Sequence, residues 1–223
     1  MEAFRMVDSE KYPSVGLFLR EHVEMQFADL RLMLQMPLGN EQGPGCNYAS
    51  TAVLMNLISG FSVCLYDASK AALKDRRNRG PRFKALLTKY YPWEGEKLGQ
   101  EEGSELLYNM VRNPLAHSLG INADMYDEVA EESDVEEWTG IAKRSMNLAE
   151  IATLESSSVR PTWLGEGRFT WFERTLASGE TGKFLSVPCL YWGVWRTLER
   201  LCSDTTQMDK ANTLLGSLEF RRV

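Results

Sequence analysis

The stretch Leu106-Leu107-Tyr108-Asn109-Met110-Val111-Arg112-Asn113-Pro114-Leu115-Ala116-His117-Ser118-Leu119-Gly120 decides how this chain is read. Its first half continues a helix predicted over 101–112, with Leu107, Met110 and Val111 turned inward. Pro114 disfavours helical geometry at Asn113. Asparagine is a good N-cap, and proline suits the first helical position. The helix is therefore expected to end or kink near Arg112 and restart at Asn113. A cation, an amide and an imidazole then gather at one helix junction. On a straight helix Arg112 and His117 stand about 140° apart. A kink brings them closer, and so does a two-fold interface with a second copy of the chain.

Working outward, helices dominate. Ser14 to Gln35 reads as a helix with Leu19, Val23, Phe27, Leu30 and Leu34 on one face. Pro37, Gly39, Gly43, Pro44 and Gly45 form a loop, and Asn47 or Ser50 is placed to cap the next helix. That helix carries a stripe of Leu54, Ile58, Phe61, Leu65, Ala68 and Ala72, and Arg79-Gly80-Pro81 is expected to end it. A shorter helix is predicted over Arg82 to Tyr91, stopped by Pro92. Beyond the opening stretch, 124–137 is acidic, and Trp138, Ile141, Ala142, Ser145, Ala149 and Ala152 mark another helix. Ser156-Ser157-Ser158 followed by Arg160-Pro161 reads as a boundary. After it, Thr162-Trp163-Leu164, Gly165-Glu166-Gly167 and 169–172 suggest a small hairpin around a glycine turn. Leu185 to Cys202 is a helix again, with Leu190, Val194, Leu198 and Leu201 inward. The expected fold is an all-α bundle over 1–155, with a C-terminal extension over 156–223, a small β-hairpin plus helix, packed on it.

The 223 residues are 43% hydrophobic, enough for one sizeable core. No run of eighteen apolar residues occurs, so no membrane span is expected. Residues 1–11 lack an apolar signal-peptide core, and a cytoplasmic location is the default expectation. Cys46, Cys64, Cys189 and Cys202 are scattered, which argues against a disulfide framework or a structural zinc site. The two histidines, His22 and His117, are fewer than most histidine metal sites need. Neither a metal nor a cofactor is expected. The net charge of −6 disfavours indiscriminate nucleic-acid binding but leaves room for a local basic groove. Lys74, Arg76, Arg77, Arg79, Arg82 and Lys84 form such a cluster, with Asp75 opposing. It reads either as a channel for an RNA backbone or as a solvated connector between helices.

The segment around Arg112 resembles the HEPN superfamily (higher eukaryotes and prokaryotes nucleotide-binding domains). Members are helical bundles marked by an Arg, four to six residues and a His, very often with Asn directly after the Arg. Arg112, Asn113 and His117 match that pattern. Two long helices and a basic connector before the motif fit as well, as do the small residues Ala116, Ser118 and Gly120. The resemblance covers about 14–154 in architecture, and the tail from Ser156 has no counterpart in it.

What the resemblance implies is a homodimer with a shared cleft. Active members are similar to metal-independent endoribonucleases, in which a 2′-hydroxyl attacks its neighbouring phosphate. His117 then moves the proton. Arg112 holds the phosphate and stabilises its added charge, while Asn113 orients the phosphate or caps the helix. The setting implied is an RNA- or nucleotide-binding effector of a stress or defence system. Inactive members use the same cleft to dimerise and bind a partner protein. A third reading stays open, in which Arg112 pairs with Glu105 or Asp124, Asn113 is a plain cap, and His117 rests on a backbone carbonyl.

Other features weigh less. The acidic residues Asp124, Asp127, Glu128, Glu131, Glu132, Asp134, Glu136 and Glu137 lack the ligand spacing and glycine of a calcium loop and read as a solvated face. Gly179-Glu180-Thr181-Gly182-Lys183 fails as a phosphate loop, because Ala177 and Phe184 stand where that motif needs glycine and a hydroxyl. His22 flanks the core or serves as a second polar group. Tyr66-Asp67 could support the site. Trp163, Trp171, Phe172, Tyr191, Trp192 and Trp195 suit base stacking, a second core or an interface.

Overall fold

The computed structural model describes residues 2–37, 46–113, 138–175, 179 and 181–218. The chain is mostly helical, with a small sheet. Its first long helical stretch joins α1 (Pro13–Phe18), a π-helical turn (Leu19–Val23) and α2 (Glu24–Gln35). Pro13 opens α1, where a missing N–H costs nothing. Leu19, Val23, Phe27, Leu30 and Leu34 are all buried, as their spacing requires.

α3 (Asn47–Cys64) departs from expectation at both ends. Neither Asn47 nor Ser50 caps it. Cys46 precedes the helix in the left-handed region at φ 57°, the Asn47 amide donates to the Ile141 carbonyl at 3.1 Å, and Ser50 is buried inside the helix. The apolar stripe also outruns the helix. Tyr66 N–H bonds the Phe61 carbonyl and Asp67 turns left-handed at φ 44°, so the helix stops after Cys64. Leu65, Ala68 and Ala72 are still buried, the last in a separate turn, α4 (Lys70–Lys74), capped by Ser69. Arg79-Gly80-Pro81 does not end a helix; it opens α5 (Arg79–Tyr90). A first-turn proline has no helical hydrogen bond to lose. α6 (Gln100–Leu106) then runs into a second π-helical segment, Leu107–Arg112.

The helix expected from Trp138 onward is instead a strand, β1 (Trp138–Ala142), followed by α7 (Leu148–Ser156). A capping box starts α7: Asn147 Oδ1 accepts the Glu150 N–H and Glu150 Oε2 accepts the Asn147 N–H, both at 2.9 Å. Ile151 and Leu154 turn inward, while Ala149 and Ala152 face solvent. The hairpin also sits later than expected. Thr162–Arg168 folds into 3-10 turns around Gly165 at φ 62°. The strands are β2 (Trp171–Thr175) and β3 (Thr181–Ser186), antiparallel with Phe172 opposite Phe184, and β1 runs parallel to β3 on its other side. Gly182 and Lys183 therefore lie in a strand.

β3 leads directly into α8 (Val187–Ser203), whose N-cap Ser186 accepts the Cys189 N–H at 3.3 Å. Every residue from Val187 to Leu198 is buried. This segment, expected in a peripheral extension, is the central helix of the core. It packs on α3, α5, α7 and a further helix that the sequence pattern did not announce, α9 (Thr205–Gly216). Tyr191, Trp192 and Trp195 belong to this shared core, and Trp195 meets Phe27 edge-on at 4.7 Å.

Two arginines inside the fold are paired with carboxylates. Arg31 bridges Glu24 at 2.5 Å and Glu155 at 2.7 Å, and the Tyr191 hydroxyl donates to Glu155. Arg160 lies 2.5 Å from Glu96 and donates to the Pro92 carbonyl; Thr170 donates its hydroxyl to Glu96 at 2.6 Å. The segment read as a boundary is thus bound to the turn after α5.

Candidate functional site

The π-helical segment carries the site. Leu107 and Val111 are buried on its inner face, which leaves Tyr108 and Arg112 on the outer one. π-helical turns are rare and concentrate at functional sites. Asn113, just past the end of this segment, keeps a right-handed helical backbone at φ −66°, ψ −50°, and not the extended conformation expected of an N-cap before proline. Arg112 Nη1 donates to Asn113 Oδ1 at 3.0 Å, and its guanidinium carbon lies 5.6 Å from the Tyr108 ring centre.

Tyr108 is held in turn by α5. Its ring centre is 5.4 Å from that of Phe83, and Lys84 Nζ lies 5.7 Å from it. The Tyr108 hydroxyl comes so close to Gly80 that a Cβ there would stand 2.5 Å away. Glycine at 80 permits this approach, which fixes the start of α5 against the segment bearing Arg112.

Between them lies a cavity of 280 Å³, walled by Ser59, Gly60, Val63 and Cys64 of α3, Phe83 of α5 and Tyr108, with Arg79 and Arg112 contributing its charge. Ser59 and Ser62 spend their hydroxyl protons on the carbonyls of Met55 and Ser59, both at 2.8 Å. Burial pushes the Cys64 thiol up, so it stays protonated near neutrality and is no nucleophile. Arg79 stands at the first turn of α5, where the helix dipole adds positive potential. Two guanidinium groups over an apolar floor suit a phosphate attached to a flat ring.

The basic cluster divides. Arg82 is structural: it donates to the carbonyls of Ser62 at 3.0 Å, Tyr66, and Asp67 at 3.3 Å, closing the end of α3. Lys84 pairs with Glu105 at 2.6 Å, which removes Glu105 as a partner for Arg112. Neither Arg82 nor Lys84 is a free substrate contact. Lys74, Arg76, Arg77 and Arg79 are exposed. Asp75 forms no ion pair with them among the described residues: its carboxylate accepts from the Asn78 side chain and from the Arg77 and Asn78 N–H groups, which hold its pKa down and keep it charged. Among the described residues, none of Lys74, Arg76, Arg77, Arg79 and Arg112 has a carboxylate partner.

His117, Pro114 and the acidic run 124–137 lie outside the described residues. His22 sits on the first π-helical turn, 5.6 Å from the Phe18 ring, and does not line the cavity. Tyr66 packs on Tyr90, and Asp67 binds Lys210 at 2.7 Å, so this pair anchors α9 and does not serve the site. Among the described residues no group of three His, Cys, Asp or Glu gathers to hold a metal ion. No described helix is long and apolar enough to cross a membrane.

Gly60, Phe83 and Tyr108 were not marked as site residues by sequence. A glycine inside an apolar helix was the one available signal. No protein-family model, no curated protein and no solved structure matches the chain.

Proposed function

We propose that this chain is a HEPN-like, metal-independent endoribonuclease, or an RNA- or nucleotide-binding effector, that works as a homodimer through Arg112, Asn113 and His117. One observation supports the reading above others. Arg112 from the motif and Arg79 from the basic cluster, far apart in sequence, line the same cavity. A pair of guanidinium groups with no carboxylate partner among the described residues suits the non-bridging oxygens of a phosphate.

In this reading His117 removes the proton from a ribose 2′-hydroxyl. The oxygen attacks the adjacent phosphorus, and the 5′-oxygen leaves with a proton, giving a 2′,3′-cyclic phosphate. Arg112, with Arg79 beside it, balances the charge that grows on phosphorus. Asn113 holds the Arg112 guanidinium in one orientation. Lys74, Arg76 and Arg77 supply positive potential for neighbouring phosphates.

The test is incubation of the full chain with RNA in a metal chelator. The expected products end in cyclic phosphates, and His117→Ala slows their formation by about 10²–10⁴-fold. Intact RNA after prolonged incubation rejects the nuclease. If such an inactive protein still sediments as a dimer, it is the silent module that dimerises and binds a partner.

A further inference from the structure

Gly60 stands in the interior of α3 with ordinary helical backbone, and a Cβ built there meets nothing within 4 Å among the described residues. Neither a left-handed turn nor a close approach calls for glycine at this position. Glycine weakens a helix interior relative to alanine. What its missing side chain leaves is the recess beside Arg112 and Arg79.

We infer that this recess is a base pocket: it takes the heterocycle of one nucleotide of an RNA strand, with the attached phosphate held by Arg79 and Arg112. The inference rests on Arg112 being the phosphate-holding residue of the site. Inorganic phosphate alone leaves the apolar wall of Gly60, Val63 and Phe83 unfilled. A neutral apolar ligand leaves two guanidinium groups without a counter-charge among the described residues. At 280 Å³ the cavity lies just under the range of about 300–1,000 Å³ for drug-sized ligands, so one nucleotide fits and a stacked run does not. The exposed Lys74, Arg76 and Arg77 nearby in the chain favour a polyphosphate strand over a phosphorylated tyrosine.

Calorimetric titration of the full chain with adenosine 5′-monophosphate, inorganic phosphate and phenyl phosphate tests this. The nucleotide binds about tenfold or more tighter than inorganic phosphate, because the ring is buried as well. Gly60→Leu fills the recess, lowers nucleotide affinity about tenfold and leaves inorganic phosphate binding unchanged. Arg79→Ala weakens both. Should the leucine variant not fold, Gly60→Ala carries the test with a loss of about threefold. Nucleotide affinity indifferent to residue 60 overturns the pocket, and so does phenyl phosphate or inorganic phosphate binding as tightly as the nucleotide. The two readings separate. RNA left intact while nucleotide binding depends on residue 60 keeps the pocket and removes the nuclease. Cleavage abolished by His117→Ala, with binding blind to residue 60, does the reverse.

Discussion

Arg112 donates from Nη1 to Oδ1 of Asn113, its immediate neighbour, at 3.0 Å. Adjacent helical residues do not face each other, so the long arginine arm has to bend to make this bond. It does so across the Tyr108 ring. The guanidinium is thereby held from two sides, and no other hydrogen bond to it occurs among the described residues.

Asn113→Ala is expected to leave the fold in place and to loosen that guanidinium. One charge-assisted orienting bond is worth about 1.5 kcal/mol or more, so RNA affinity or cleavage falls about tenfold or more while the melting temperature barely moves. Unchanged activity in the alanine variant removes the positioning role.

The basic cluster is expected to split when its members are replaced singly. Arg82→Ala exposes three helix-end carbonyls and lowers stability by about 2 kcal/mol in urea unfolding. Arg76→Ala and Arg77→Ala change stability by less than about 0.5 kcal/mol. They instead weaken RNA binding and reduce its salt dependence by about one counterion each, measured by filter binding at several salt concentrations. Equal effects of all three substitutions on stability contradict this division.

Glu96 and Arg160 form a buried pair, the carboxylate side chain only 2% exposed. Removing one member strands the other. Glu96→Ala is expected to cost about 3–5 kcal/mol in denaturant unfolding. A loss below about 1 kcal/mol means that the Thr170 and backbone contacts hold this corner without the charge pair.

The Tyr90 hydroxyl donates to Asp204 at 2.6 Å, and Asp204 also accepts the Gln207 N–H that starts α9. The Tyr90 bond, chiefly, holds the Asp204 carboxyl below its ordinary 3.8. A lowered folded value means that its stabilisation is present above that ordinary value and fades as pH falls through the depressed one. Burial first, and Asp204 second, push Tyr90 from 10.0 up to about 12. That contribution is full below pH 10.0 and is lost as pH rises toward about 12. Tyr90→Phe is expected to flatten both limbs of a plot of unfolding free energy against pH. A curve identical to that of the parent protein rules out the linkage.

Strict helical spacing made the first long helical stretch and α8 legible: Leu19 to Leu34 mark one inward face, and Leu190 to Leu201 recur at helical spacing in a helix that the core then surrounds. Spacing also misled. Trp138, Ile141, Ala142, Ser145, Ala149 and Ala152 imitate a helix, but the capping box at Asn147 starts one only afterwards. α9 buries Met208, Ala211, Leu214 and Leu215 among polar neighbours, too thin a pattern to stand out. The motif pointed to Arg112 directly. It could not point to Arg79 beside it, because that pairing depends on the Gly80–Tyr108 approach, a contact between segments distant in the chain.

The all-round burial of α8 has a consequence for biosynthesis. Translation delivers α1 to α7 first, with Phe27, Leu30 and Phe61 shaped to close on a helix the ribosome has not yet made. Until residues 187–203 clear the exit tunnel, those apolar faces have only each other or a chaperone to cover them. Folding of this core therefore waits for α8, and an intermediate halted before Val187 is expected to be more protease-sensitive than a chain that includes it.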